Sequence, residues 1–132
     1  MLVGVDLKKD PNVLHAAYND AQGVTAQFNL NLLDRINSEL GGNFATGNFA
    51  HYAFYNAPMG RVEMHLASLV RHTVDVGESR FSFSAGESIH TENSCKYSVE
   101  EFQALAGLAG FRSESVWMDS EQQFSLHGLV VA

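Results

Sequence analysis

The stretch LVGVDL at residues 2–7 decides how this chain is read. It is short, apolar and β-branched, without the polar alternation of a half-exposed strand, and matches a strand buried on both faces of a parallel sheet. Lys8-Lys9-Asp10-Pro11 ends the run at once, as charged residues before a proline do. A parallel strand needs neighbours on both sides, and the rest of the chain offers few candidates for them. The sequence is therefore expected to be the later part of a larger α/β domain.

Working outward, Asn12–Asp20 suits a short helix with Val13, Ala16 and Ala17 on one face, and Ala21–Leu40 a longer one. In the longer helix Val24, Phe28, Leu32, Leu33, Ile36 and Leu40 recur at three- and four-residue steps, the stripe of an amphipathic helix, and Gly41-Gly42 supplies its stop. After a glycine-containing loop at 42–48 the period changes to two, and Val62, Met64, Leu66, Ser68 and Val70 mark one face of a strand. Thr73–Val76 and Arg80–Phe83 flank Gly77-Glu78 as a hairpin, and Ser88–Lys96 reads as a further strand. Ser98-Val99-Glu100-Glu101 is a capping box opening a helix on Phe102, Leu105, Ala106 and Ala109. Strands at 111–118 and 124–131 close the chain.

The chain has 132 residues, 45% of them hydrophobic and 17% charged, with a formal charge of −7. That acidity repels phosphate backbones and no basic stripe offsets it, so nucleic acid is not an expected partner. No run approaches the roughly 18 apolar residues of a membrane span, and residues 1–10 lack the layout of a signal peptide. The single cysteine, Cys95, has no internal disulfide partner and fits a reducing cytoplasm; packing as a small apolar residue is its expected role.

Two places invite chemistry. His15, Tyr18 and Asn19 fall within one helical turn, where hydroxyl and amide groups suit a carboxylate; the same residues also fit a helix end, with Asn19 and Asp20 capping the next helix. In the strand 88–96, alternation places His90, Glu92, Ser94 and Lys96 on one face and Ile89, Thr91, Asn93 and Cys95 on the other. A carboxylate and a hydroxyl two residues apart match the two nitrogens of an imidazole, Glu92 accepting from N–H and Ser94 donating or accepting as the tautomer requires. A solvated polar sheet face gives the same pattern. Met64 sits on an apolar strand face, where core packing is the default. The six histidines show no HExxH-type spacing, and no metal site is expected.

LVGVDLKKD (2–10), LHAAYNDAQGVTAQFNLNLL (14–33), VEMHL (62–66) and GESIHTENSCKYS (86–98) together resemble the second half of the histidine-specific methyltransferases, which use S-adenosylmethionine to methylate the α-amino group of histidine on the way to ergothioneine. The resemblance covers nearly the whole chain. It implies that Tyr18 holds the substrate carboxylate, that Glu92 and Ser94 grip the imidazole, and that Met64 is the apolar residue beside that ring. It also implies an α/β fragment with an α+β look. Residues 1–10 and 97–132 would be the last strands of a Rossmann-like methyltransferase sheet, and 11–96 an inserted mixed α/β substrate-binding subdomain. The glycine-rich turn and acidic residue that bind the methyl donor would lie outside this chain, leaving it inactive alone, and the open edge at 2–7 would pair with a second copy as a homodimer. Alternatives are a non-catalytic imidazole-binding module, a module completed by a partner, and methylation of an indole amino acid.

Overall fold

The computed structural model describes every residue from Met1 to Ala132. Eight strands and three α-helices follow in the order β1 (Leu2–Asp6), α1 (Pro11–Tyr18), α2 (Val24–Leu40), β2 (Phe49–Asn56), β3 (Arg61–Ser68), β4 (His72–Val76), β5 (Ser79–Phe83), β6 (Ser88–Cys95), α3 (Val99–Leu108), β7 (Phe111–Met118) and β8 (Phe124–Val131). They form a mixed α/β structure with two three-stranded sheets, ordered β1-β8-β7 and β2-β3-β6, and the hairpin β4-β5.

The run at 2–7 is a strand, but within this chain it is neither central nor parallel. β1 is the edge of its sheet and pairs antiparallel with β8, Leu2 opposite Gly128 through Asp6 opposite Phe124. Its one parallel contact is the bridge from Leu7 to Tyr97. Val5 and Leu7 are buried while Leu2 is exposed. At the bridge, Lys8 N–H donates to the Tyr97 carbonyl and Tyr97 N–H to the Asp6 carbonyl, which brings the end of β6 alongside the end of β1.

Helix α1 starts on Pro11, whose missing N–H costs nothing at a first turn, with the Asp10 carboxylate accepting from Asn12 N–H. Helix α2 is shorter at its start than the sequence suggests. Residues 19–23 make a turn, Gly23 adopts φ +71°, and the Asp20 carboxylate takes the free amides of Val24 and Thr25. Those amides, with the helix dipole, hold the Asp20 carboxyl below its ordinary range. Only part of the expected α2 stripe is buried. Leu33 packs with Phe49 and Leu66, whereas Val24, Phe28, Leu32 and Leu40 are exposed. The capping box at Ser98 and Glu101 forms as expected, but Leu105 is exposed and only Ala106 of that helix is buried.

Strand β2, FAHYAFYN, has no counterpart among the elements expected from sequence. Aromatic side chains occur on both of its faces, so its period of two is blurred. It becomes a strand by pairing along its whole length with β3.

Candidate functional site

The inner face of the β2-β3-β6 sheet packs against α1 and α2. Leu14, Ala53, Val62 and Met64 form a buried cluster there, with Tyr18 and Tyr55 packed against it. Antiparallel register places Ser94 opposite Val62 and Glu92 opposite Met64. Paired residues point to the same side of a sheet, so Glu92 and Ser94 share the inner face with the buried methionine.

His90 does not join them. The register shifts between Met64 and His65, where Thr91 is the extra residue of a bulge and His90 pairs with His65. A bulge adds one residue to one strand and reverses the alternation beyond it. His90 therefore stacks on His65 on the outer face, ring centroids 4.4 Å apart. Cys95, expected to pack as an apolar residue, is exposed because its register partner is the outer-face Arg61.

Tyr18 and Ser94, 76 positions apart, meet directly: the Tyr18 hydroxyl donates to Ser94 Oγ at 2.7 Å. Lys96 completes the group. Its buried ammonium donates to Tyr18 Oη at 2.8 Å and Ser94 Oγ at 2.9 Å and pairs with Asp6 Oδ2 at 2.6 Å. Burial works against the Lys96 charge, but the bonds to Asp6 and Tyr18 outweigh it and raise its pKa above the ordinary lysine value. Burial likewise opposes ionisation of Asp6, and its bonds to Lys9 and Lys96 overcome it, lowering that carboxyl. Glu92 stands apart from this group. It is exposed at a concavity shared with Phe28, Asn29, Leu32 and Arg35 of α2.

Beneath both lies a polar network that sequence patterning does not reveal. Asn29, 3% exposed, donates through Nδ2 to His51 Nδ1 (3.0 Å) and to the His65 carbonyl (3.1 Å). Its Oδ1 accepts from Thr91 Oγ1 at 2.7 Å, and that hydroxyl also lies 3.0 Å from the Met64 carbonyl. His51 Nε2 donates to the Tyr18 carbonyl at 2.7 Å. The backbones of Tyr18 and Met64, and the bulge just before Glu92, thus hang on one amide. The one signal in the sequence is an asparagine between Phe28 and Leu33 at a position that turns toward the sheet. Asn19 does not cap α2; it closes the end of α1, its Nδ2 donating to the His15 carbonyl at 3.0 Å, and clamps β2 by bonding the Ala53 carbonyl and amide at 3.0 and 3.3 Å. His15 Nε2 accepts from Tyr55 N–H at 3.0 Å, so it serves α1–β2 docking.

The two strand-to-helix junctions that open α-helices, β1 to α1 and β6 to α3, carry no glycine and close on their own side chains, Asp10 and Ser98. Neither is the glycine-rich turn that lets a backbone approach a bound nucleoside closely.

The family description for the SAM-dependent histidine-specific methyltransferases matches residues 1–131. The chain is 40% identical over 128 residues to the histidine N-alpha-methyltransferase of Mycolicibacterium smegmatis and 41% identical over 128 residues to that of Mycobacterium tuberculosis, each match covering 96% of this chain and 40% of the relative. It is 34% identical over 131 residues to ergothioneine biosynthesis protein 1 of Neurospora crassa, covering 96% of this chain and 14% of that protein. The chain thus spans about 40% of the length of its mycobacterial relatives, and it belongs to the SAM-dependent histidine-specific methyltransferase family.

Proposed function

We propose that the chain is the C-terminal, substrate-gripping portion of a methyltransferase that transfers a methyl group from S-adenosylmethionine to the α-amino group of histidine. In this reading residues 11–96 are the inserted substrate subdomain, and 1–10 with 97–132 belong to the Rossmann-like catalytic domain. The observation that carries it is the meeting of Tyr18 with Ser94 on the face shared by Glu92. Lys96 adds a buried positive charge beside the Tyr18 hydroxyl; its three donors are already bonded, so it favours a carboxylate at Tyr18 through its field and not by a direct bond.

Each residue then has a task that involves no donor atom. Tyr18 orients the carboxylate, Glu92 accepts from an imidazole N–H, Ser94 bonds the other ring nitrogen, and Met64 supplies an apolar wall. S-adenosylmethionine supplies the methyl group when bound, and its contacts are assigned to residues outside this chain. Holding carboxylate and ring together aims the neutral amine, and orientation of this kind supplies much of the acceleration of a displacement. An indole offers only one N–H, which leaves the Glu92 and Ser94 pair partly unmatched.

The test is substitution in the intact enzyme. Glu92→Ala is expected to lower the preference for histidine over tryptophan by about tenfold or more, because a polar reader rejects ligands that leave it unpaired. An unchanged preference refutes the assignment. Calorimetry on the chain alone separates two readings. Saturable histidine binding without S-adenosylmethionine binding supports a substrate module complete in itself, whereas tight donor binding refutes the assignment of donor contacts to residues outside the chain.

A further inference from the structure

On the outer face of the β2-β3-β6 sheet, away from Tyr18 and Ser94, three metal-ligating groups converge. Glu63 and His65 are two apart on β3 and share that face, and the register sets His90 of β6 opposite His65. One ligand atom from each lies within 4.8 Å of the others. We propose that Glu63, His65 and His90 form a binding site for a borderline divalent cation of the zinc class.

The geometry is half set. Zinc–nitrogen and zinc–oxygen bonds of about 2.0–2.2 Å place tetrahedral ligand atoms about 3.4 Å apart. His65 Nε2 and Glu63 Oε2 already stand 3.2 Å apart. His90 is exposed, so its ring can shift over His65, together with the Asn93 side chain it bonds, to close the remaining gap. The carboxylate is oriented in advance. Asn56 Nδ2 at 3.0 Å and Arg61 Nε at 2.9 Å both donate to Oε1, leaving Oε2 turned to the imidazoles. The Glu63 side chain is only 9% exposed, with the Arg61 guanidinium against its carboxylate, and a neighbouring cation favours the anionic form that a metal needs. His90 Nε2–H donates to Asn93 Oδ1 at 2.8 Å, which leaves the lone pair on Nδ1, and outer partners of this kind fix ligand tautomers at metal sites.

The donor set selects the ion. Two imidazoles and one carboxylate favour zinc, cobalt or nickel over magnesium and calcium, which take all-oxygen shells. Three protein ligands leave a position for water. Binding at His65 Nε2 moves the ring proton to Nδ1, where the Ser88 hydroxyl lies 3.4 Å away, so the imidazole stays neutral as a metal ligand. The bulge at Thr91 is what makes the site, because unbroken alternation would carry His90 to the inner face with Glu92. No local motif announces it, since the third ligand comes from a different strand.

Zinc chloride titrated calorimetrically into the metal-free chain is expected to bind one equivalent, and cobalt(II) to give visible d–d absorption of a low-coordinate site. His90→Ala, at an exposed position that leaves the fold intact, is expected to weaken zinc by about tenfold or more, as removal even of an outer-shell partner does elsewhere. His65→Gln gives a second reading from a different strand. Absence of stoichiometric zinc binding overturns the site, as does binding that neither substitution weakens. Magnesium binding as tightly as zinc would also overturn it.

Discussion

Lys96 gathers contacts that no local pattern in the sequence joins. Its three N–H donors are spent on Asp6, Tyr18 and Ser94, so the strand that opens the chain and the face proposed to read substrate share one ammonium. Asp6→Asn removes its charged partner. The expected cost is about 1–2 kcal/mol at neutral pH, less than for a fully buried pair because solvent reaches Asp6. The pH dependence has a definite sign. The Asp6 carboxyl titrates below its ordinary 3.8 in the folded chain, so its contribution is present above that value and is lost as pH falls through the lowered one. Urea midpoints measured across the acid range should show a flatter acid limb in Asp6→Asn than in the wild type. Equal limbs would show that the pair does not contribute.

At the scale of elements, the bulge in β6 sorts neighbouring polar residues to opposite faces, Glu92 inward and His90 outward. It is held by the Thr91 hydroxyl on Asn29 Oδ1. Thr91→Val keeps the shape of the side chain and strands that buried oxygen without its donor. An unsatisfied buried acceptor costs about 1–3 kcal/mol, so Thr91→Val is expected to lower the unfolding free energy by that amount and Thr91→Ser to stay near the wild type. Equal stability of all three proteins would show the hydroxyl to be dispensable. Helix α2 shows the same dependence on its surroundings. Its repeat of Val24, Phe28 and Leu32 has the period of a core-facing stripe, yet these side chains are exposed and the sheet receives Asn29 and Leu33 instead.

For the whole molecule, the accessible surface is 8050 Å², against about 6,900 Å² for a compact monomer of this mass. The excess includes large apolar groups. Leu2, Trp117 and Phe124 of the β1-β8-β7 sheet and Leu108 of α3 are exposed. β1 also ends its sheet, and beyond the bridge at Leu7 and Tyr97 its outer edge has no partner strand. Open apolar edges promote pairing with another chain, and a symmetric dimer through β1 is the proposed arrangement of this chain on its own. Light scattering over rising concentration should show mass approaching two chains, with Val3→Lys shifting it toward one. A constant single-chain mass counts against the dimer. No helix is long and apolar enough to cross a membrane, so the exposed apolar surface is not a helical span.

Features written over a few consecutive residues could be read without coordinates. The capping box at Ser98, the hairpin around Gly77, the closing strands and the shared face of Glu92 and Ser94 depend on dihedral preference and alternation, which act locally. The resemblance carried by HAAYND and TENS likewise pointed to the family to which the chain belongs. Other features depended on residues far apart in the chain. Strand β2 gained its identity from β3, the bulge at Thr91 from an asparagine 62 positions away, and the Asp6–Lys96 pair from two strand ends brought side by side. A lone side chain carries no mark of what will desolvate or bond it, and only tertiary packing supplies that partner.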